Sequence, residues 1–196
     1  MSTIVVTPAS TLPLSLEDAK RHARIDHAEE DLLVSQLIAA ATEHAETVQR
    51  RKLLPTVLQR RLHYGFPDKC IELLYPPLIT LTSVVYTDPD GADVTLDPDQ
   101  YRVMASDQET VLTPARGAWW PTTIGEPNDV RITYTAGYAD AASVPRNTMH
   151  ALRLLVAHWY EHREAVVVGT ITANVPMTVD ALLAANRVYS LAGGSR

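Results

Sequence analysis

The chain has 196 residues, 46% apolar and 20% charged, enough for one domain with its own core and incompatible with wholesale disorder. With 17 Lys and Arg against 23 Asp and Glu the formal charge is −6, which removes a general electrostatic grip on a nucleic-acid backbone. The one cysteine, Cys70, excludes an internal disulfide and suits a reducing compartment. No leader pattern opens the chain and no run reaches the ~18 apolar residues of a membrane span, so a soluble intracellular protein is expected.

Residues 1–52 read as N-terminal helices. Ser15 is the predicted N-cap of a short helix that ends near Arg24 or Ile25, with Glu17 and Asp18 in its first turn. Asp26 is a second predicted cap, with Glu29 placed to reach back to it. Leu33, Leu37, Ala41, Ala45 and Val48 then recur at helical spacing, widened by Val34 and Ile38. They predict a helix over 28–51, roughly 35 Å long, closed by Arg50, Arg51 and Lys52 at the negative end of its dipole.

Residues 53–143 change period and hold 6 basic and 12 acidic side chains, the acid-rich part of the chain. Strands are predicted at 57–64, 70–74, 79–86, 101–104, 110–112 and 130–135, with another around Val94. Pro76 and Pro77 separate two of them, and Asp88-Pro89-Asp90-Gly91 is a turn. Strands joined by short turns imply an antiparallel sheet inserted between helices.

Residues 144–165 return to helix, with Pro145 at the first turn and Met149, Leu152, Leu155, Val156 and Trp159 on one face. Residues 166–196 read as an arm: an extended piece to Pro176, a short helix around 180–185, and a Gly-rich tail that should fray. The expected class is α+β: a mainly helical bundle with an inserted antiparallel β subdomain and an extended C-terminal arm.

Three features invite a chemical reading. His158-Trp159-Tyr160-Glu161-His162 has the H-x-x-E-H spacing of a zinc hydrolase, two histidines sharing a helix face. A catalytic zinc needs a third protein ligand; Glu164 is too close to bend back, and Asp180 is the sole later carboxylate. A structural helix is the better reading. Cys70 sits in an apolar run with no histidine partner and reads as a small core residue. Arg50, Arg51, Lys52, Arg60 and Arg61 could lie near DNA, as in a packaging accessory, although a helix-ending charge cluster accounts for the first three. Trp119 and Trp120 suit either an exposed contact or a plug over the sheet. No catalytic residue, metal or cofactor is expected from these residues.

Several stretches, taken together and in order, resemble the head–tail connector (adaptor) proteins of tailed phages. They are Leu12–Lys20, Asp26–Asp31, Leu37–Glu43, Asp129–Tyr138, Val144-Pro145, Leu154–Val166 and Ala181–Tyr189. Where such connectors often carry proline and tyrosine before the arginine of the last motif, this chain has Ala185-Asn186-Arg187. The resemblance implies a structural, non-catalytic protein at the virion's head–tail junction, built in the cytoplasm of a bacterial host. It implies a ring, commonly of twelve copies, beneath the portal protein, extending the channel through which DNA passes without sequence-specific binding. A tail-side connector or tail terminator would dock on its other face. On this view residues 178–190 form a portal-binding arm, with Leu182 and Leu183 as apolar anchors and Arg187, Val188 and Tyr189 as further contacts.

Overall fold

The computed structural model describes residues 1–162 and 174–189. The predicted extended piece over 166–172 and the Gly-rich tail over 190–196 lie outside these residues. The chain forms two compact units. One is the sheet unit, Met1–Ala9 and Pro55–Ala139 with Val188 and Tyr189; the other is the helical unit, Ser10–Leu54 and Asp140–Arg187.

The sheet unit holds strands β1 (Ser2–Thr7), β2 (Thr56–His63), β3 (Ile71–Glu72), β4 (Leu78–Thr87), β5 (Asp93–Thr95), β6 (Tyr101–Ala105), β7 (Thr110–Pro114) and β8 (Pro127–Ala136). Where the sequence suggested a single sheet there are two, both antiparallel. Their orders are β1-β2-β8-β4-β5 and β3-β7-β6. The central pair β2 and β8 shows why: Leu58 and Leu62 alternate with half-buried polar residues, as do Val130, Ile132, Tyr134 and Ala136. Both sheets contribute to one core, Leu58, Leu62, Val84, Val130, Ile132 and Tyr134 meeting Ile71 and Leu112. Tyr134 is buried, its hydroxyl donating to the Leu74 carbonyl at 2.9 Å, and desolvation pushes its phenol well above the ordinary range. At the predicted turn the Asp88 carboxylate accepts from the Asp90 and Ala92 amides, and Gly91 takes φ 85°.

β1 is a correction. The sequence reading put residues 1–52 into helices, yet Ser2–Thr7 pairs antiparallel with β2, Ser2 opposite Arg61 and Val5 opposite Leu58. The partner strand lies more than fifty residues away, so no local pattern announces the pairing. The sheet unit is therefore not a simple insertion. Cys70 is a second correction: it is exposed, one residue before β3 begins at Ile71, and is not part of the core.

The helical unit holds α1 (Leu16–Ala23), α2 (Asp31–Gln49), α3 (Arg146–Glu161) and α4 (Asn174–Ala184). Ser15 caps α1 as predicted, its Oγ accepting from the Asp18 amide at 3.1 Å, and Arg24 ends it at φ 56°. α2 starts three residues later than predicted, at Asp31 with Glu30 before it, and Asp26 is not its cap. The carboxylate of Asp31 instead pairs with Lys20 at 2.5 Å, tying the start of α2 to α1. The buried stripe of α2 is Val34, Ile38, Ala41, Ala45 and Gln49. Leu33, Leu37 and Val48 flank it, half-buried. α3 follows Pro145 and buries Thr148, Ala151, Leu152, Leu155 and Val156. α4 starts well before the expected 180–185 helix, with Pro176 in its first turn, where the missing amide is tolerated.

Candidate functional site

The predicted arm comes first. On α4, Val179 and Leu183 are 1% and 0% exposed, spent on the helical unit's own core. Leu183 is thus no free anchor, which corrects the sequence reading; an apolar side chain on the inner face of a docked helix cannot also fill a partner's pocket. Leu182 is half-buried, Arg187 half-buried, Val188 buried and Tyr189 67% exposed. Of the predicted contacts, Tyr189 is the most accessible.

A buried polar clamp fixes this segment. The Gln49 amide nitrogen donates to Thr148 Oγ1 at 2.9 Å and to the Leu183 carbonyl at 3.1 Å. Arg51, 1% exposed, donates through Nε to the Asn186 carbonyl at 2.7 Å. Gln49 adds a second donor to the Leu183 carbonyl, which also accepts from the Asn186 amide at 3.2 Å, and Arg51 supplies one to the Asn186 carbonyl just past the helix end. The neighbouring Glu46 carboxylate accepts from the Leu53 amide at 2.9 Å and pairs with Lys52 at 2.5 Å. Sequence reasoning missed Gln49 because a polar residue ending an apolar stripe reads as the stripe's limit.

The basic residues separate accordingly. Arg50 is exposed, Arg51 is buried in the clamp and Lys52 is held by Glu46. Arg51 is therefore not DNA-proximal: its guanidinium is consumed inside the helical unit. Arg60 and Arg61 sit on β2, where Arg60 donates to Thr3 Oγ1 at 3.1 Å and Arg61 to Gln59 Oε1 at 2.7 Å.

The H-x-x-E-H run ends α3. The His158 and His162 rings lie 4.6 Å apart, but His162 has left helical geometry and its Nδ1 faces the His158 carbonyl at 3.1 Å. Trp159 meets the edge of His44, and Tyr160 donates to Glu30, so the aromatics pack as the structural reading expected. Among the described residues no group of three or more His, Cys, Asp or Glu side chains is placed to hold a metal. Nor, among them, is any helix long and apolar enough to cross a membrane.

In the sheet unit the tryptophan pair divides. Trp120 stacks on Phe66, centroids 4.8 Å apart and planes 7° from parallel, against the core, while Trp119 is 88% exposed. The loop bearing them is pinned by Asp129, whose buried carboxylate accepts from Thr123 Oγ1 at 2.6 Å, Gly65 N at 3.0 Å and Gly125 N at 3.2 Å. On the same sheet the Arg131 guanidinium, 2.6 Å away, holds the Asp93 carboxyl below its usual 3.8, helped by Thr87.

Comparison with known proteins bears on these surfaces. Residues 13–75, spanning α1, α2, β2 and β3, match the family model of phage gp6-like head–tail connector proteins. The resemblance drawn from the sequence is met by this match. No curated protein matches the chain in sequence. Among solved structures the chain resembles one in the neck of an empty GTA particle computed with C6 symmetry, with TM-score 0.81 and 24% identity over 100% of both chains. It also resembles one in the virion of a native gene transfer agent (GTA) particle, with TM-score 0.80 and 23% identity over 99% of both. A third is in the neck of a native GTA particle computed with C12 symmetry, with TM-score 0.78 and 22% identity over 100% of both. At these identities the likeness is one of fold.

Proposed function

We propose that this chain, a head–tail connector by its family match over residues 13–75 and by a fold shared end to end with GTA neck chains, works as a ring subunit at the head–tail junction of a phage or phage-like particle. The observation that carries the reading is the coincidence of the two: a connector signature in the first part, and one fold covering 100% of this chain and of a neck chain. Membership in a structural family speaks for a chain that assembles rather than catalyses. A closed ring of identical copies needs heterologous lateral contacts, two different patches meeting around the circle. Twelve copies suit the symmetry of one neck map.

On this reading the ring sits beneath the portal protein and extends the DNA channel. Its far side receives the next connector or tail terminator. Assembly takes place in the host cytoplasm. DNA passes without sequence-specific contact, which suits a chain of charge −6 whose Arg51 is internal. The portal-facing element is the end of α4 and the residues after it. Leu183 and Val188 seat the segment, and Leu182, Arg187 and Tyr189 meet the portal. A fully buried apolar side chain contributes ~1.5–3 kcal/mol, so one arm binds weakly and the ring holds by multivalency.

The test is co-sedimentation of the full chain with purified portal. Tyr189→Ala is expected to weaken retention at least tenfold with the thermal melt unchanged. Undiminished retention removes Tyr189 from the contact, and undiminished retention with Leu182→Ala and Arg187→Ala added removes the arm. Particles whose vertices carry no density for this protein in micrographs would end the connector reading itself.

A further inference from the structure

Two strand edges of the sheet unit stand unguarded. β1 pairs only with β2, so every second residue directs its N–H and C=O away from the sheet, without a partner among the described residues. Ile4, Val5 and Val6 are 37%, 49% and 51% exposed. Soluble proteins blunt such an edge with charge, an internal proline or a bulge. Here no charged side chain precedes Glu17, Pro8 falls after the strand, and the one register shift, between Val5 and Thr7, spares Ser2–Val5. β6 is the second such edge. It pairs only with β7, its residues Arg102–Ala105 are exposed, and Val103 and Met104 show 38% and 58% of their surface. Of the other edges, β5 has three residues and β3 two, too short to template a partner, and the flank of β4 that β5 leaves uncovered, residues 78–83, is interrupted by two register shifts.

Charge decides which edges suit each other. β2 sets Arg61 and Arg60 opposite Ser2 and Thr3, directly behind the start of β1, and neither guanidinium meets a carboxylate among the described residues. β6 carries one cation, the exposed Arg102, but is bracketed by Asp97 and Asp99 before it and Asp107 and Glu109 after it, so acids outnumber it at both ends. Pairing β1 with β1 brings arginines together, and pairing β6 with β6 brings acids together. β1 against β6 sets basic beside acidic whichever way the strands run, because both ends of β6 are acidic.

We propose that β1 of one copy pairs edge to edge with β6 of the next, joining neighbouring sheet units into an intermolecular β-sheet. This rests on the ring reading above and supplies its two unlike patches. A pairing of five or six residues falls well short of the ~1,600 Å² of a standard stable interface. A single contact therefore dissociates, and only closure, giving each copy two such contacts, holds.

The experiment uses the full chain with Cys70→Ser, so that introduced thiols are the only ones. Val5→Cys is combined with Val103→Cys or with Met104→Cys, which lie on opposite faces of β6. The protein is oxidised under conditions where negative-stain micrographs show rings. The double variants are expected to give a ladder of covalent oligomers reaching the ring. Equal mixtures of single variants should stop at dimers, and each single variant alone should give less than one tenth of that dimer. Val5→Glu, which sets a like charge against the acids flanking β6, is expected to lower ring formation at least tenfold with an unchanged thermal melt. The proposal is overturned if rings form and neither cysteine pair links, if Val5→Cys alone dimerises as readily as the mixture, or if Val5→Glu rings persist. Absence of rings from the parent chain and from purified particles alike would instead remove the ring reading, and this proposal with it.

Discussion

The two units solve the burial of polar groups in opposite ways. In the sheet unit the ladder satisfies most of the backbone, and the buried Asp129 carboxylate ties two turns together, at Gly65 and at Thr123 and Gly125. In the helical unit the decisive polar contacts reach across the sequence, Gln49 to Thr148 and Leu183, and Arg51 to Asn186. Helices satisfy themselves internally but not at their ends, so a bundle that buries a helix end must import donors from elsewhere. Sheets have the complementary weakness, leaving their edges open. The connector reading uses both: the clamped helix end for the portal, the open edges for the neighbours.

The largest expected effect that separates the units comes from Leu183→Asp. It places a carboxylate where the side chain is fully enclosed and should cost about 4 kcal/mol or more. The loss should register at Trp159 fluorescence in the helical unit while near-UV signals of Trp119 and Trp120 persist. A simultaneous collapse of both signals would show that the units do not unfold separately. Next come the two buried polar hubs. Asp129→Ala strands three donors and should cost about 3 kcal/mol, read at Trp120 in urea. Gln49→Ala strands the buried Thr148 hydroxyl and removes one of the two donors to the Leu183 carbonyl, the Asn186 amide remaining, and should cost about 2 kcal/mol, read at Trp159. Equal responses of both reporters to both variants would erase the contrast.

The smallest effect is set by pH. Asp93 has its folded pKa lowered by Arg131 and Thr87, so the unfolded chain binds the proton more readily. Its contribution is present above 3.8 and disappears as pH falls through the lower folded value. Asp93→Asn should therefore flatten the sheet unit's stability against pH below about 4 and change little at neutrality. A variant that tracks the parent through that window would dismiss the pair.

Much of the fold was legible because its signals are local. Ser15 before Glu17 and Asp18 announces α1, and Asp88 to Gly91 announces a turn; both capping bonds form within four residues. The alternation in β2 and β8 and the stripe of α2 are likewise nearest-neighbour patterns. What was not legible depends on distant partners. β1 becomes a strand only by meeting β2. Gln49 becomes a core residue only because residues 148 and 183 arrive to bond it. The arm was misjudged for a related reason, since Leu182 and Leu183 read alike in sequence and only packing says which one faces inward. The tryptophans posed the same problem, Trp120 having Phe66 for a partner and Trp119 open water.

The clamp also imposes a schedule. During synthesis β2 and β8, with the strands between them, are complete once residue 136 has emerged, so that part of the sheet unit can close early. Gln49 and Arg51, made much sooner, must wait for residues 183 and 186 before their hydrogen bonds exist. The helical unit therefore closes after that part of the sheet unit, and the segment proposed to meet the portal is set in place only once residues 183 and 186 have emerged.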